Sequence, residues 1–382
     1  MTRAPRVCMY VEFLYPVVSQ GRVPFAGGIE VQLTLMGRGL ARRGFDVHVV
    51  TCDYGQPDRL EVEGLTLLKS YPPSGGLPVL RFFHPRLTRG LAALWRSDAD
   101  VYLFRGAALW AGLVALVARL RGRRFVWLTG HDHDVVRELP DVHGARDRGA
   151  VRYAIGGADA IVTQTRSQQE RLHSDFGRDS TVIMNSVELV SPAAVEDPGA
   201  HSTVLWLSTY KPEKRPEWFL TFAERHPEVP CRMVGVIPDT AAGQRCFRDA
   251  QAVAARCPNL RVEGPVPHER IGEVLTGTAL FAHSSPVEGF PNTLLECWSR
   301  GIPAVSAVDP DGIVEREGLG ACRTDYDAWE QAIEARLADP ERRRLEGARA
   351  RVWVEGHHAP EVVHEALARR LRDVLGSGWT KL

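Results

Sequence analysis

Short apolar segments alternate with helical patterns along most of the chain, and this alternation limits the folds that it can adopt. In the first half, strand-like segments lie at residues 6–11, 46–51, 100–104, 125–129, 160–163 and 180–184. A second series has strand-like segments at residues 204–207, 232–236, 259–263 and 278–282. Strands that alternate with helices form parallel sheets with helices on both faces. The pattern therefore predicts an α/β protein with two doubly wound domains.

A segment with little apolar pattern separates the two series. Residues 185–201 contain Ser, Pro, Gly and acidic residues, a composition typical of an interdomain linker. A chain of 382 residues is also too long for one ordinary core. We therefore predict an N-terminal domain at residues 1–190 and a C-terminal domain at residues 191–359. A last helix is predicted from the apolar spacing of Val362, Val363, Ala366, Leu367, Leu371 and Val374.

Composition excludes several classes of protein. Forty-seven basic and 47 acidic residues give no net charge, which argues against nucleic acid as a partner. The longest apolar stretch, residues 106–118, is too short to span a bilayer, and the N-terminus has no signal-peptide pattern. Seven scattered cysteines without a Cys-x-x-Cys pair indicate free thiols in a reducing compartment and no structural zinc. We therefore expect a cytoplasmic protein.

The stretch Ser284–Glu296, with the sequence S-S-P-V-E-G-F-P-N-T-L-L-E, carries the strongest chemical signal. It follows a strand-like segment, and Asn292 or Thr293 is placed to cap a helix that Gly301 ends. The first turn of such a helix offers N–H groups and a positive dipole end to an anion such as phosphate. Glu296 lies one turn further in, where a carboxylate could hold ribose hydroxyls.

This stretch resembles the nucleotide-sugar motif of retaining GT-B glycosyltransferases, especially those of family four. The resemblance rests on two glutamates separated by seven residues, on Gly-Phe-Pro-Asn after the first and on Gly-Ile-Pro-Ala-Val after the second. It implies two Rossmann-like domains that face a cleft, with the last helix, within residues 360–382, crossing back to the first domain. It also implies transfer of a sugar from a nucleotide-diphosphate donor to a hydroxyl acceptor with retention, which is chemistry of the EC 2.4 class.

The resemblance assigns roles to residues of the second domain. Glu296 would hold the ribose, Glu288 a hydroxyl of the donor sugar, and Lys214 the diphosphate, together with amides near Phe290 and Asn292. The other donor-binding candidates are Lys211, Arg215, Gly289, Pro291 and Thr293. The nucleotide sugar is a co-substrate, and no cofactor is implied.

A basic loop follows the first strand of the second series. Such a loop lies at the carboxyl end of a strand, where open α/β sheets bind ligands, and a diphosphate leaving group needs positive charge. Lys214 matches the family lysine, but Thr209 occupies the position of the family arginine. Whether Lys211 or Arg215 replaces that arginine stays open, as does the interpretation of the loop as a solvated surface.

Two segments of the first domain also carry candidate residues. The run His131–Asp134 follows a strand-like segment, and the resemblance places a histidine beside the transferred sugar, with His131 aligning best and His133 as the alternative. Alternating His and Asp also suggest a metal site, but no third ligand stands at useful spacing nearby, so we expect no metal. Gly27 and Gly28 resemble the acceptor-side loop of the family.

Three functions stay open at this point. They are metal-independent glycosyl transfer, sugar-nucleotide epimerisation in the same fold, and binding of a nucleotide sugar without catalysis. The acceptor is open among a glycan, a glycolipid and a small molecule. Basic and aromatic residues within 81–96 and 119–125 leave open a peripheral contact with anionic lipid at the inner membrane, although an ordinary surface explains them as well.

Overall fold

Each half of the alternating pattern folds around its own sheet. The computed structural model describes residues 3–19, 27–74 and 82–376. Contacts among these residues divide the chain into two units. Unit 1 contains the described residues up to Ser186 and those from Pro360 onward, and unit 2 spans Val187–Ala359. Each unit is described below by itself.

The described residues of unit 1 form an eight-stranded sheet in the order β3-β4-β2-β1-β5-β6-β7-β8. Its strands are β1 Arg6–Tyr10, β2 Asp46–Thr51, β3 Arg59–Val62, β4 Leu65–Lys69, β5 Val101–Arg105, β6 Arg124–Leu128, β7 Ala160–Thr163 and β8 Thr181–Val182. Strand β3 pairs antiparallel with β4, whereas the other pairs are parallel. The sequence pattern did not predict this edge hairpin. The residues of β3 alternate between exposed and partly buried, and none of them is fully buried.

The turn of the hairpin explains why two such different strands pair. Glu63 and Gly64 connect β3 to β4, and both have positive φ, at 54° and 81°. Two-residue turns with positive φ at both positions match the twist of antiparallel strands. The prediction of a purely parallel first sheet is therefore wrong at its edge.

Helices cover both faces of the first sheet. Those that precede unit 2 are α1 Leu14–Val18, α2 Gly28–Ala41, α3 Thr88–Ser97, α4 Leu109–Leu120, α5 Ala145–Gly157 and α6 Arg166–Phe176. Along β1, Cys8 and Tyr10 join the apolar cluster on one face, and Val7 and Met9 join the cluster on the other. No helix within the described ranges is both long and apolar enough to cross a membrane.

Unit 2 has a parallel six-stranded sheet in the order β11-β10-β9-β12-β13-β14. Its strands are β9 Thr203–Thr209, β10 Cys231–Val236, β11 Leu260–Glu263, β12 Thr278–His283, β13 Ala304–Ser306 and β14 Gly320–Cys322. Its helices are α7 Pro216–Arg225, α8 Ala241–Ala254, α9 Ile271–Leu275, α10 Asn292–Trp298, α11 Ile313–Arg316, α12 Tyr326–Leu337 and α13 Pro340–His357. The alternating pattern thus correctly predicts the architecture of this unit.

The last helix, α14 Pro360–Leu375, packs on α2 in unit 1, as the resemblance implies. A Cβ atom on Gly39 of α2 would lie 2.2 Å from His364 Nδ1, so only glycine allows this close approach. His364 Nε2 also lies 3.0 Å from Ser186 Oγ. The predicted apolar face of this helix is partly wrong. Val362 and Ala366 are exposed, and His364, which the prediction did not include, is buried together with Leu367.

Truncation of one buried side chain tests the packing of α14. Leu367 is buried in the core of unit 1, and Val362 on the same helix is 48% exposed. We expect Leu367→Ala to lower the free energy of unfolding by about 2–5 kcal/mol, because it leaves a cavity. Val362→Ala is the matched control and should change it by less than about 0.5 kcal/mol in urea unfolding. Equal effects of the two substitutions would contradict this packing.

Candidate functional site

The sheet of unit 2 has one place where the strand order reverses. The chain runs outward from β9 to β10 and β11, then returns to the other side of β9 with β12. The loops after β9 and β12 therefore leave neighbouring strands at the carboxyl edge. Open α/β sheets bind their ligands at such a switch point.

A lysine from the first loop meets a glutamate from the second. The Lys214 ammonium group bonds to Glu288 Oε1. The backbone of Lys214 is also fixed, because its carbonyl oxygen accepts a hydrogen bond from Ser284 Oγ at 2.6 Å. Ser284 Oγ in turn accepts one from Trp206 Nε1 at 2.9 Å. The two loops are thus joined through both backbone and side chain.

Glu288 is ionised although its side chain is only 16% exposed. Burial alone would raise the pKa of this carboxyl, but the neighbouring His283 ring and the charge of Lys214 outweigh it. The net effect is a pKa well below the ordinary range of a glutamate. His283 Nε2 lies 3.6 Å from Glu288 Oε1, and its ring is buried.

The helix of the motif begins in a different way from the prediction. Helix α10 starts at Asn292, and Pro291 takes the N-cap position without a side-chain cap. The prediction that Asn292 or Thr293 caps this helix is therefore wrong, because both residues already lie inside it. Gly301 has φ of 73°, and its N–H bonds to the carbonyl oxygen of Trp298, so the predicted end of the helix is confirmed.

Phe290 anchors the motif loop in the core of unit 2. Its ring lies 6.2 Å from the ring of Trp353 and 4.8 Å from that of His358. Its side chain is therefore structural. The neighbouring motif residues Gly289 and Pro291 are buried, and Asn292 and Thr293 are half-buried.

Glu296, in α10, pairs with a histidine that the sequence analysis did not identify. His268 Nε2 lies 3.2 Å from Glu296 Oε1. Burial alone would lower the pKa of His268, but the hydrogen bond and charge of Glu296 outweigh it and raise the pKa. His268 opens the helical turn His268–Arg270 after β11, and Glu296 lies in α10 after β12, so both groups follow the carboxyl ends of strands.

The other two cations of the basic loop have different surroundings. Lys211 is exposed. The guanidinium carbon of Arg215 lies 4.9 Å from the centre of the Trp218 ring, in a cation–π contact. Arg215 also has a left-handed backbone, with φ of 47°. Of the three cations, the structure thus brings Lys214 to Glu288 and holds Arg215 against a tryptophan.

His131 lies in unit 1, three residues after β6 ends. It precedes a helical turn at Asp132–Val135, and its Nδ1 accepts a hydrogen bond from the N–H of His133 at 3.3 Å. Asp134 accepts hydrogen bonds from the amides of Gly130 at 2.6 Å and of His131 at 3.0 Å. The backbone of this predicted site residue is therefore held in place by a buried carboxylate.

His131, His133 and Asp141 form a cluster of three side chains that could hold a metal ion. Asp141 Oδ2 lies 2.9 Å from His133 Nδ1 and 3.8 Å from His131 Nδ1. The three ligand atoms lie within 4.8 Å of one another. The sequence analysis considered a third ligand at helix spacing, whereas Asp141 lies eight positions after His133 and reaches it because the chain folds back.

Gly27 occupies the N-cap of α2, and Gly28 begins the helix. A Cβ atom on Gly27 would lie 2.4 Å from Glu30 Oε2, so the Glu30 carboxylate folds back over the start of its own helix. Burial raises the pKa of Glu30, and hydrogen bonds from the backbone of Glu30 and Gly27 oppose that rise. A carboxylate thus lies against the predicted acceptor-side loop.

The basic and aromatic surface of α3 and α4 carries less free charge than its sequence suggests. Trp95 and Leu120 are 50% and 67% exposed. The nearby arginines are paired with aspartates, in the pairs Arg121–Asp98, Arg123–Asp100 and Arg124–Asp159. These ion pairs reduce the positive charge available to anionic lipid.

Comparison with known families decides the class of the protein. The model of glycosyltransferase family 4 matches residues 26–190. The model of glycosyl transferases group 1 matches residues 201–339. The chain belongs to the group 1 glycosyltransferases of the family 4 type. It is therefore a transferase enzyme, as the motif predicted.

Curated relatives match this glycosyltransferase over nearly their whole length. It is 26% identical to the 2-deoxystreptamine N-acetyl-D-glucosaminyltransferase of Streptomyces fradiae, over 89% of this chain and 90% of the relative. It is 25% identical to the D-inositol 3-phosphate glycosyltransferase of Corynebacterium diphtheriae, over 92% of this chain and 90% of the relative.

Solved structures confirm the GT-B fold of the glycosyltransferase. Sucrose-phosphate synthase from Thermosynechococcus elongatus matches with a TM-score of 0.77 at 17% identity, over 97% of this chain and 99% of the other. Anabaena HepE in complex with UDP-glucose matches with a TM-score of 0.72 at 14% identity, over 96% and 99% of the two chains.

The pairing of His268 with Glu296 leads to a prediction about pH. Glu296→Gln should lower the pKa of His268, measured by NMR titration, because it removes the negative charge 3.2 Å away. In the wild type the pair stabilises the folded protein below about pH 6.5, the ordinary pKa of histidine. That stabilisation should be lost as the pH rises through the raised pKa. Other histidine resonances serve as the control, and an unchanged His268 titration would contradict the contact.

Proposed function

We propose that this glycosyltransferase binds a nucleotide-diphosphate sugar in unit 2, at the carboxyl edge between β9 and β12. The observation that carries the proposal is the meeting of Lys214 with Glu288 at the switch point of the sheet. A cation and a carboxylate there suit the two ends of a sugar diphosphate. The complex of HepE with UDP-glucose supports a UDP-sugar as the first donor to test.

In this proposal, different residues of unit 2 bind different parts of the donor. Glu296 holds the ribose, and Glu288 holds a hydroxyl of the donor sugar. Lys214 and the backbone amides of Phe290 and Asn292 hold the diphosphate. Lys211 is exposed on the same loop and is the second cation available to the phosphates, whereas Arg215 is engaged with Trp218.

Binding in this way requires an exchange of partners. Lys214 pairs with Glu288 in the structure. A diphosphate carries more negative charge than one carboxylate and draws Lys214 away from Glu288. Glu288 is then free to accept a hydrogen bond from the sugar. The backbone of Lys214 stays fixed through Ser284, so the exchange needs only side-chain rotation.

The reaction proposed is transfer to a hydroxyl with retention at the anomeric carbon. The leaving phosphate assists deprotonation of the acceptor on the same face, so no nucleophile from the enzyme is needed. By resemblance, His131 serves the transferred sugar, and Gly27 and Gly28 serve the acceptor. The two relatives are named for 2-deoxystreptamine and D-inositol 3-phosphate, so a small cyclitol is the first acceptor class to test.

Transfer is expected to be independent of added metal ions. Lys214 supplies positive charge to the leaving diphosphate, which is the task that a divalent cation performs in other transferases. Activity measured as UDP release should therefore be the same with and without EDTA. Complete loss of activity in EDTA that magnesium or manganese restores would contradict this part of the proposal.

The ribose contact predicts a specific loss of affinity. Glu296→Gln should weaken UDP binding about ten- to a hundredfold in calorimetry, because a charge-assisted hydrogen bond contributes about 1.5–3 kcal/mol. Glu273→Gln is the matched control, since Glu273 is an exposed glutamate of α9 that pairs with Arg270. Unchanged UDP affinity in Glu296→Gln would contradict the assignment of Glu296.

A further inference from the structure

A buried histidine stands directly behind Glu288. His283 is the last residue of β12, and its side chain is 3% exposed. Its Nε2 lies 3.6 Å from Glu288 Oε1, the same oxygen that Lys214 contacts. Glu288 Oε1 therefore has two basic neighbours, of which one is buried in the sheet and the other is on a loop.

Ser306 determines how the imidazole of His283 is protonated. His283 and Ser306 are register partners on β12 and β13, and His283 Nδ1 lies 3.0 Å from Ser306 Oγ. The Ser306 hydroxyl donates to the carbonyl oxygen of Val308 at 2.7 Å and accepts from the Val308 N–H at 3.2 Å. A hydroxyl has only one hydrogen, so His283 Nδ1 must be the donor to Ser306.

The other ring nitrogen faces a group that only accepts. An ionised carboxylate has no hydrogen to donate, so His283 Nε2 approaches Glu288 favourably only when it carries a hydrogen too. With hydrogens on both nitrogens the imidazole is positively charged. In that form His283 places a second cation beside Glu288, in addition to Lys214.

We propose that His283 is a positioning residue of the donor site, which keeps Glu288 ionised and in place after Lys214 moves to the diphosphate. The inference rests on the proposed function, because it takes a diphosphate to be the group that draws Lys214 away. His283 cannot follow Lys214, since it belongs to a strand and its carbonyl oxygen accepts hydrogen bonds from Ala307 N–H and Trp329 Nε1.

Loss of His283 is expected to weaken donor binding. Without His283, the departure of Lys214 leaves a largely buried carboxylate with no positive neighbour. Such a group takes up a proton, because burial penalises the charged form. Donor binding by a His283 variant should therefore be coupled to proton uptake, which the wild type avoids.

The test measures UDP affinity by calorimetry between about pH 6 and pH 8 for the wild type and His283→Leu. The ratio of the Kd values, variant over wild type, should rise with pH by up to about tenfold per pH unit. Titration of UDP itself contributes equally to both proteins and cancels in the ratio. In a Glu288→Gln background, His283→Leu should have no pH-dependent effect, because no carboxylate remains to be protonated.

The outcomes separate this inference from the proposed function. Failure of the wild type to bind UDP would overturn the proposed function and this inference with it. UDP binding with the same pH dependence in wild type and His283→Leu would overturn this inference alone. A pH-dependent loss that persists in the Glu288→Gln background would also overturn it.

A measurement on the unaltered protein covers the case in which His283→Leu does not fold. Nitrogen NMR of the imidazole distinguishes a ring with hydrogens on both nitrogens, whose two resonances lie close together, from a neutral ring, whose resonances lie far apart. We expect the first pattern for His283 in the UDP complex at neutral pH. A neutral His283 in that complex would overturn the proposal.

Discussion

A carboxylate with little access to water is stable as an anion only beside positive charge, and Glu288 has that charge in Lys214, with His283 Nε2 3.6 Å from the same carboxylate oxygen. Burial would otherwise raise its pKa, whereas these neighbours lower it. The pair with Glu288 also holds the Lys214 ammonium group next to the place where the diphosphate is proposed to bind. In the proposed function, exchange of Lys214 between carboxylate and phosphate links donor binding to the release of Glu288 for the sugar.

The parallel sheet of unit 2 makes this arrangement possible. Because β9 and β12 are neighbours at the switch point, loops that are far apart in sequence meet at one edge. Buried polar contacts then fix their backbones, from Trp206 through Ser284 to the carbonyl oxygen of Lys214. A fixed backbone at both loops is what the proposed donor site requires, because ligand sites are usually largely formed before the ligand binds.

The sequence predicted the architecture and the motif well, because hydrophobic periodicity and glycine positions are local signals. It failed where structure depends on contacts between distant residues. Asp141 lies near His131 only because the chain turns back between them, and His268 contacts Glu296, which is 28 positions further along the chain. His283 carried a detectable signal, since it ends a strand at the carboxyl edge, but its role depends on the cross-strand partner Ser306.

The most direct test of this account is a crystal structure of the protein with UDP bound. We expect the diphosphate beside the Lys214 ammonium group and the amides at Phe290 and Asn292, with the ribose on Glu296. Lys214 should have left Glu288, and His283 Nε2 should remain beside that carboxylate. A diphosphate bound away from Lys214, or a Lys214–Glu288 pair unchanged in the complex, would contradict the exchange on which the proposed function depends.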